Sequence, residues 1–425
     1  MRAVTVVGAS LAGLYAAREL RAQGYDGRLT VVGAEPHLPY DRPPLSKDFL
    51  MGKADEDQLA LTDPEETAEL RADWILGTRA RALDARGRTV VLADGRTLPS
   101  DGVVIATGAR ARRLPGPPLA GVHTLRGLDD ARALRADLTR GPCRVVVIGG
   151  GFIGAETASA CVALGHDVTV VEAAPLPLAT QLGPELAAVC AGLHERGGAR
   201  LLTGVGVAGL RGTAGLQAGS ARTDADARPA VGAVELADGR SLPAEVVVVG
   251  IGATPETDWL AGSSLAVDDG VLCDDGCATA LPQVVAVGDV ARVGGVRAEH
   301  WTSATEQPRV AVRNLLAGRT VEAAHPLPYF WSDQYGSRIQ FAGRRGRGDT
   351  VRFLEGSPES LAGGVGGGAV EGAIGGGFLA VYERDGRTTA ALAVDLARPF
   401  MKVRRGLAAQ ERERATSVGV AGAPV

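Results

Sequence analysis

The chain is poor in cysteine, poorer still in lysine, and has no excess of positive charge. Its five cysteines (Cys143, Cys161, Cys190, Cys273 and Cys277) are an odd number spread over 425 residues. That argues against a secreted disulfide framework. No two cysteines have CxxC or CxxxxC spacing, so a zinc ribbon and a redox-active disulfide of the common spacings are excluded. Cys273 and Cys277 have no histidine beside them and read as structural. The six histidines (37, 123, 166, 194, 300 and 325) show no metal-ligand spacing, so no metal is expected. Lysine plus arginine is 45 against 49 acidic residues, a net charge of −4, which gives no reason to expect nucleic acid as the main partner. Only Lys47, Lys53 and Lys402 are lysines, so a lysine inside a motif is informative. No apolar run approaches the roughly 18 residues of a membrane helix. Met1 leads straight into a strand-like segment with no room for a signal peptide, and a reducing cytoplasm is the expected compartment.

What is present is enough for a large core. Hydrophobic residues are 45% of the chain, and the length suits about two to three domains. The strongest signal is an internal duplication. Residues 2–35 and residues 144–172 each run from an apolar β-run through a glycine-rich turn and a helical run to a second β-run and an acid. Further on, ADGRTLPSDGVVIATGAR (93–110) aligns without a gap to ADGRSLPAEVVVVGIGAT (237–254), with ten of eighteen positions identical. Two copies of one nucleotide-binding unit therefore lie about 140 residues apart, far beyond a solenoid period.

Short β-branched runs (3–7, 29–32, 103–106, 145–148, 168–171 and 246–249) suit buried parallel strands. Helices are expected to start near Leu11 and Ile153. After residue 320 the character changes: HPLPYFWSDQYGSRIQ (325–340) is rich in aromatics and proline and opens a third, smaller α+β domain. The glycine-dominated stretch near 361–377 reads as an extended flexible loop, and the tail after about Gln410 as frayed. Residues 205–232 read as inserted.

In Gly149-Gly150-Gly151-Phe152-Ile153-Gly154 a strand leads into a helix. Gly149 permits the tight turn, Gly151 the approach of a pyrophosphate, and Gly154 close packing of helix on strand. The phosphate would sit on free N–H groups at the helix start. Glu172 closes the second strand, where a carboxylate holds an adenosine ribose diol. The N-terminal copy is Gly8-Ala9-Ser10-Leu11-Ala12-Gly13 with Glu35 at the strand end; Ser10 replaces the central glycine. Two such sites in one chain imply two different dinucleotides, and FAD with NAD is the usual redox pair.

Several longer blocks are more specific: Pro39-Tyr40-Asp41-Arg42-Pro43-Pro44-Leu45-Ser46-Lys47, Ala106–Arg110 (ATGAR), Val287–Asp289 (VGD), Glu299–Gln307 (EHWTSATEQ) and Pro328–Gly336 (PYFWSDQYG). In these the chain resembles the NADH-dependent, FAD-containing ferredoxin reductases that serve bacterial oxygenases and cytochromes P450. The resemblance spans residues 1–405. It implies an α/β fold with two Rossmann-like dinucleotide-binding domains, glutathione-reductase-like, plus a C-terminal α+β interface domain. The expected division is 1–113 and 244–320 for FAD, 114–243 for NAD, 321–410 for the C-terminal domain, and 411–425 as a flexible tail.

The resemblance also assigns residues. Lys47 takes the place of a lysine near the flavin, with Arg42 on the same segment; the alternative is solvated loop charges. Asp289 would hold the ribityl chain, or else be an ordinary turn aspartate. Thr107, Gly108 and Arg110 lie in the crossover near the flavin nucleotide. Arg126 matches an FAD contact, or is a surface arginine. Trp301 matches a position beside the isoalloxazine on the partner side, or is a core tryptophan. Glu156 approaches the nicotinamide in the family, or is a solvated helix charge. Ala80 and Gly252 complete the cofactor-binding set. Lys47, Trp301 and Glu156 are thus the residues expected at the reacting centre.

The partner implied is a small iron–sulfur ferredoxin and, through it, a cytochrome P450 or Rieske-type oxygenase, since the chain has no cluster motif of its own. Arg309 matches a ferredoxin-contact position. Arg309 and Arg313 would share a helix face, with Arg319, Arg404 and Arg405 nearby. A second class of reading is a module that uses FAD and NADH to set its conformation, as in apoptosis-inducing-factor-like proteins. A disulfide reductase is disfavoured, because that group has its cysteines where this chain has Arg42–Lys47.

Overall fold

The computed structural model describes residues 1–213, 228–364 and 376–420. The first unit begins β1 (Ala3–Val7), α1 (Leu11–Ala22) and β2 (Arg28–Val32), then adds β3 (Ala72–Ile75) and β4 (Gly102–Ile105). The second has β5 (Val122–His123), β6 (Arg144–Ile148), α2 (Phe152–Ala163), β7 (Asp167–Glu172), α3 (Ala179–Arg196), β8 (Arg200–Thr203) and β9 (Val246–Val249). The chain returns to the first unit with β10 (Val284–Ala286) and α4 (Trp301–Ala317). It ends in β11 (Tyr329–Gln334), β12 (Ser337–Gly343), β13 (Thr350–Glu355), β14 (Phe378–Arg384), β15 (Arg387–Val394) and α5 (Ala397–Val420).

The β-branched runs behave as parallel strands buried on both faces. The first sheet has the order β10-β4-β1-β2-β3 and the second β8-β7-β6-β9-β5. Every pair within these two sheets is parallel. Val6 and Val147, one in each central strand, are fully buried. In each sheet the chain leaves its central strand in one direction and later returns to the other side. That reversal opens a crevice at the carboxyl ends of β1 and β6, where open α/β sheets bind ligands.

Two expected boundaries need correction. The boundary at residue 244 is misplaced: β9 pairs with β6, Val145 opposite Val246, so it belongs to the second sheet. The duplicated block closes its own copy's sheet. The crossing follows it, where Ala253–Pro255 pairs antiparallel with Ala109–Ala111. The boundary at 411 falls inside α5, which runs to Val420, and 421–425 lie outside the described residues. Fully buried Phe400 and buried Leu407 anchor that helix, and its continuation is rich in Ala, Arg, Glu and Gln, which are good helix formers. Residues 205–232, read as inserted, contain part of a strand pair. Val207–Gly212 and Val231–Leu236 pair as antiparallel strands, and 214–227 lie outside the described residues. Most of the glycine-rich stretch, 365–375, also lies outside them.

The C-terminal sheet is antiparallel, ordered β11-β12-β15-β14-β13. Period-2 alternation gives it two apolar faces. Phe378, Tyr382 and Leu392 pack with Leu182, Leu186 and Cys190 of α3. Leu379, Val381 and Ala391 pack with Phe400 and Leu407 of α5. One face therefore clamps the domain to the second nucleotide unit. His194 of α3 and the Tyr335 hydroxyl, 2.9 Å apart, extend that contact with a partly buried hydrogen bond.

Candidate functional site

The first cradle is shaped by backbone that admits only glycine at two points. Gly8 has φ +120°, and a Cβ there would lie 2.0 Å from the Ala106 carbonyl oxygen. A Cβ on Gly13 would meet the Gly8 carbonyl oxygen at 1.8 Å. Ser10 caps α1, and its hydroxyl accepts from Arg42 Nε at 3.2 Å. Leu11 and Ala12 form the helix's first turn. Glu35 is held by side chains on both oxygens: Arg42 Nη2 donates at 2.5 Å and the Tyr40 hydroxyl donates to the other. Burial pushes the Glu35 carboxyl upward, but Arg42 and Tyr40 outweigh it and the net pKa is lowered. Arg42 also donates to the Arg126 carbonyl at 2.7 Å. The arginine is a clasp within this site, not a solvated loop charge.

Asp289 follows β10 in the turn Gly288–Val290 and pairs with Arg126 at 2.6 Å. Arg126 Nε donates to the Ala109 carbonyl. Burial opposes the Arg126 charge, yet Asp289 leaves its pKa raised. The structure thus joins two residues 163 apart in sequence. Thr107 donates to the Glu256 carbonyl at 2.7 Å, and Gly108 takes φ +67° beside it. Arg110 is engaged by Glu256 at 2.9 Å and Asp258 at 3.0 Å, so its charge is spent on the crossing strands. Ala80 opens the strand Ala80–Asp84.

The second cradle repeats the first. Gly149 has φ +106°, with the Gly250 carbonyl oxygen 2.3 Å from a notional Cβ. A Cβ on Gly154 would lie 2.0 Å from the Gly149 oxygen. Gly151 caps α2 and faces open space, with nothing within 4 Å of a notional Cβ. Glu172 accepts from the Gly150 and Ala174 amides, both at 2.8 Å. Ile153 is 49% exposed at the rim. Phe152 turns its ring onto Phe330 of β11, centroids 4.6 Å apart. Gly252, φ +96°, also has open space beside it.

Where the units meet, Lys47 Nζ lies 2.8 Å from Glu156 Oε2. Glu156 is 3% exposed. It also accepts from the hydroxyls of Ser46 at 2.6 Å and Ser332 at 2.7 Å. It is therefore neither a solvated helix charge nor idle in packing. Ser46, Ser332 and Gln334 were absent from the expected site. Ser46 and Ser332 both lie inside the family-like blocks, and Ser332 and Gln334 share one face of a strand. Those were the available signals.

Trp301 opens α4, half-buried, and its Nε1 donates to Asp41 at 3.2 Å. Burial raises the Asp41 pKa, with Trp301 and Lys47 opposing. Trp301 meets Trp331 edge-on at 6.3 Å, and Trp331 stacks on Tyr329 at 5.8 Å. Arg404 covers the Tyr329 ring at 4.0 Å. Arg309 and Arg313 do share a face of α4, but both pair with Glu322.

These features fit dinucleotides. The notional Gly151 Cβ would occupy the approach of a phosphate. Beside Trp301, the Thr302 hydroxyl is buried with no partner among the described residues. Among those residues no group of three or more His, Cys, Asp or Glu could hold a metal ion, and no helix is long and apolar enough to cross a membrane.

Residues 2–308 match the family described as pyridine nucleotide-disulphide oxidoreductase. The chain belongs to that family. Residues 329–421 match a second one, the reductase C-terminal family. This oxidoreductase is 38% identical over 415 residues to the anthranilate 1,2-dioxygenase system ferredoxin–NAD(+) reductase component of Burkholderia cepacia, covering 95% of this chain and 93% of that protein. It is 35% identical to putidaredoxin reductase of Pseudomonas putida over 80% of each chain. Its fold matches putidaredoxin reductase in a covalent complex with putidaredoxin, with a TM-score of 0.83, 31% identity, and 96% and 93% of the two chains covered. The family name refers to a disulphide, yet all five cysteines here are free. Burial pushes the Cys161, Cys190 and Cys273 thiols up to about 12, which suits packing and not thiolate chemistry.

Proposed function

We propose that this oxidoreductase takes electrons from NADH and passes them through FAD to a small iron–sulfur ferredoxin, which serves a cytochrome P450 or Rieske-type oxygenase in the cytoplasm. The observation that carries it is the junction: two glycine cradles, each with a ribose-placed acid, meet at the buried Lys47–Glu156 pair. FAD, when bound, supplies the step from a two-electron hydride to single electrons. The protein's part is to bind, orient and exclude water. Gly8, Ser10, Leu11, Ala12, Gly13, Glu35 and Arg42 would cradle the FAD diphosphate and ribose. Thr107, Gly108, Arg126 and Asp289 would hold the rest of the FAD, with Ala80 and Arg110 at the margin. Gly149, Gly151, Phe152, Ile153, Gly154, Glu172 and Gly252 would receive NAD. Lys47, paired with Glu156 at 2.8 Å, would offer an ammonium to offset the negative charge gained by the cofactor on reduction. Trp301 and Trp331 close the side that faces the protein partner.

The test is reconstitution. The purified protein should be yellow, release FAD and not FMN on heating, be bleached by NADH, and reduce a small acidic ferredoxin as well as ferricyanide. A colourless protein that cannot be reconstituted with FAD overturns the reading. Bleaching by NADH without turnover on any acceptor would favour the redox-sensing class.

A further inference from the structure

Strand β11 has two working faces. Tyr329 and Trp331 point to the aromatic cluster around Trp301. Phe330, Ser332 and Gln334 point the other way, toward the second nucleotide unit and the junction. Ser332 is fully buried and Gln334 nearly so. Gln334 Nε2 donates to Ser332 Oγ at 2.9 Å, and the Glu156 carboxylate only accepts, so the serine's single hydroxyl proton goes to Glu156. Glu156 comes from α2 of the second unit, Lys47 and Ser46 from the first, and Ser332 from the C-terminal domain. Three domains thus converge on one buried carboxylate.

We propose that Ser332 is a positioning residue for electron transfer: it holds the Glu156 carboxylate, and through it the Lys47 ammonium, at the junction of the two cradles. The proposal rests on the function proposed above. Its physical basis is charge balance in a dry site. The Ser332 hydroxyl draws part of the Glu156 charge toward itself. Without it that charge falls on Lys47, whose positive field toward the cofactor weakens. Because Trp331 and Ser332 are adjacent on one strand, a shift of the partner-facing aromatics would be felt at Glu156.

The experiment compares FAD-loaded wild type with Ser332→Ala and with Ser332→Cys, which is close in volume and a weak donor. A Glu156→Gln/Ser332→Ala double variant is set against Glu156→Gln alone. The readouts are the reduction potential of the bound flavin, by spectroelectrochemical titration, and its single-turnover reduction by NADH. Both Ser332 variants should have a lower potential and be reduced about tenfold more slowly, the scale of one hydrogen bond to a charged group. In the Glu156→Gln background, Ser332→Ala should add no further shift, since the effect runs through Glu156. Unchanged potential and rate in Ser332→Cys, or a shift that persists without the Glu156 charge, would overturn the proposal. Failure of wild type to take FAD or react with NADH would instead overturn the function it rests on.

Discussion

At Glu35 both carboxylate oxygens are held by side chains, those of Arg42 and Tyr40. At Glu172 both are held by backbone amides, those of Gly150 and Ala174. The two cradles share their glycine geometry almost to the ångström and differ in what covers them. The first is wrapped by Ser10, Arg42 and Arg126, from segments far apart in the chain. The second is open at Gly151 and Ile153 and is built from its own loop. A wrapped site resists release, while an open one exchanges. The pattern suits a resident cofactor in the first cradle and a diffusing one in the second.

The largest expected effect tests that asymmetry at matched glycines. Gly8→Ala sets a Cβ against the Ala106 carbonyl at a strained φ, and the purified protein should lose its flavin, read as the FAD-to-protein absorbance ratio. Gly151→Ala has room and an ordinary φ. It should keep FAD and melting temperature while weakening NAD binding by about tenfold, since about 1.4 kcal/mol suffices for that. Equal loss of flavin in both variants would erase the distinction.

Next in size is nucleotide choice. The 2′-phosphate of NADPH would meet the Glu172 carboxylate, and Ala173-Ala174-Pro175 offers no cation to offset it. Like charges at about 4 Å cost roughly 1 kcal/mol in water and several times more at lower effective dielectric. NADH should therefore be preferred by about tenfold or more in kcat/KM. Glu172→Ala should narrow the gap, and equal values in wild type would refute the role of Glu172.

Acid should separate the units differently. Burial lowers the His194 pKa from 6.5 to about 4. The unfolded chain therefore binds a proton that the folded one refuses between those values. Stability is full above pH 6.5 and falls as pH drops toward 4, by up to about 1.4 kcal/mol per pH unit. Melting curves of wild type should shift down across that window, and those of His194→Gln should shift less. The weakened contact is the one between α3 and the C-terminal domain.

The smallest effect lies on α4 of the first unit. Arg309 and Arg313 are already paired with Glu322, so an acidic ferredoxin docking on that face would have to compete for them. Exposed pairs contribute at most about 1 kcal/mol. Glu322→Gln should lower KM for ferredoxin, and Arg309→Glu should raise it, each by no more than about fivefold. KM for NADH should hold. Added salt should weaken ferredoxin reduction far more than ferricyanide reduction, as the Debye length falls from about 10 Å at 0.1 M to about 3 Å at 1 M. Indifference to both substitutions and to salt would move the docking face elsewhere.

The two glycine turns were legible in the sequence because strand, turn, helix start and strand-end acid follow one another within about 30 residues. Glycine is required by contacts within the turn itself at Gly13 and Gly154, where a Cβ would meet the Gly8 and Gly149 carbonyl oxygens, and β-branched runs suit buried parallel strands. Duplication made the strands and helix starts legible to within a residue or two, and the family-like blocks marked Arg42, Lys47, Asp289 and Trp301. What those residues touch follows from tertiary packing alone. Lys47 meets a carboxylate from another domain, and Ser332 reaches Glu156 across 176 residues. Arg126 finds Asp289, and Arg309 is claimed by Glu322. Even the ownership of β9 depended on which sheet it joined. Such contacts carry no local periodicity. Burial leaves each charge needing a partner, and which partner arrives depends on how the three units pack.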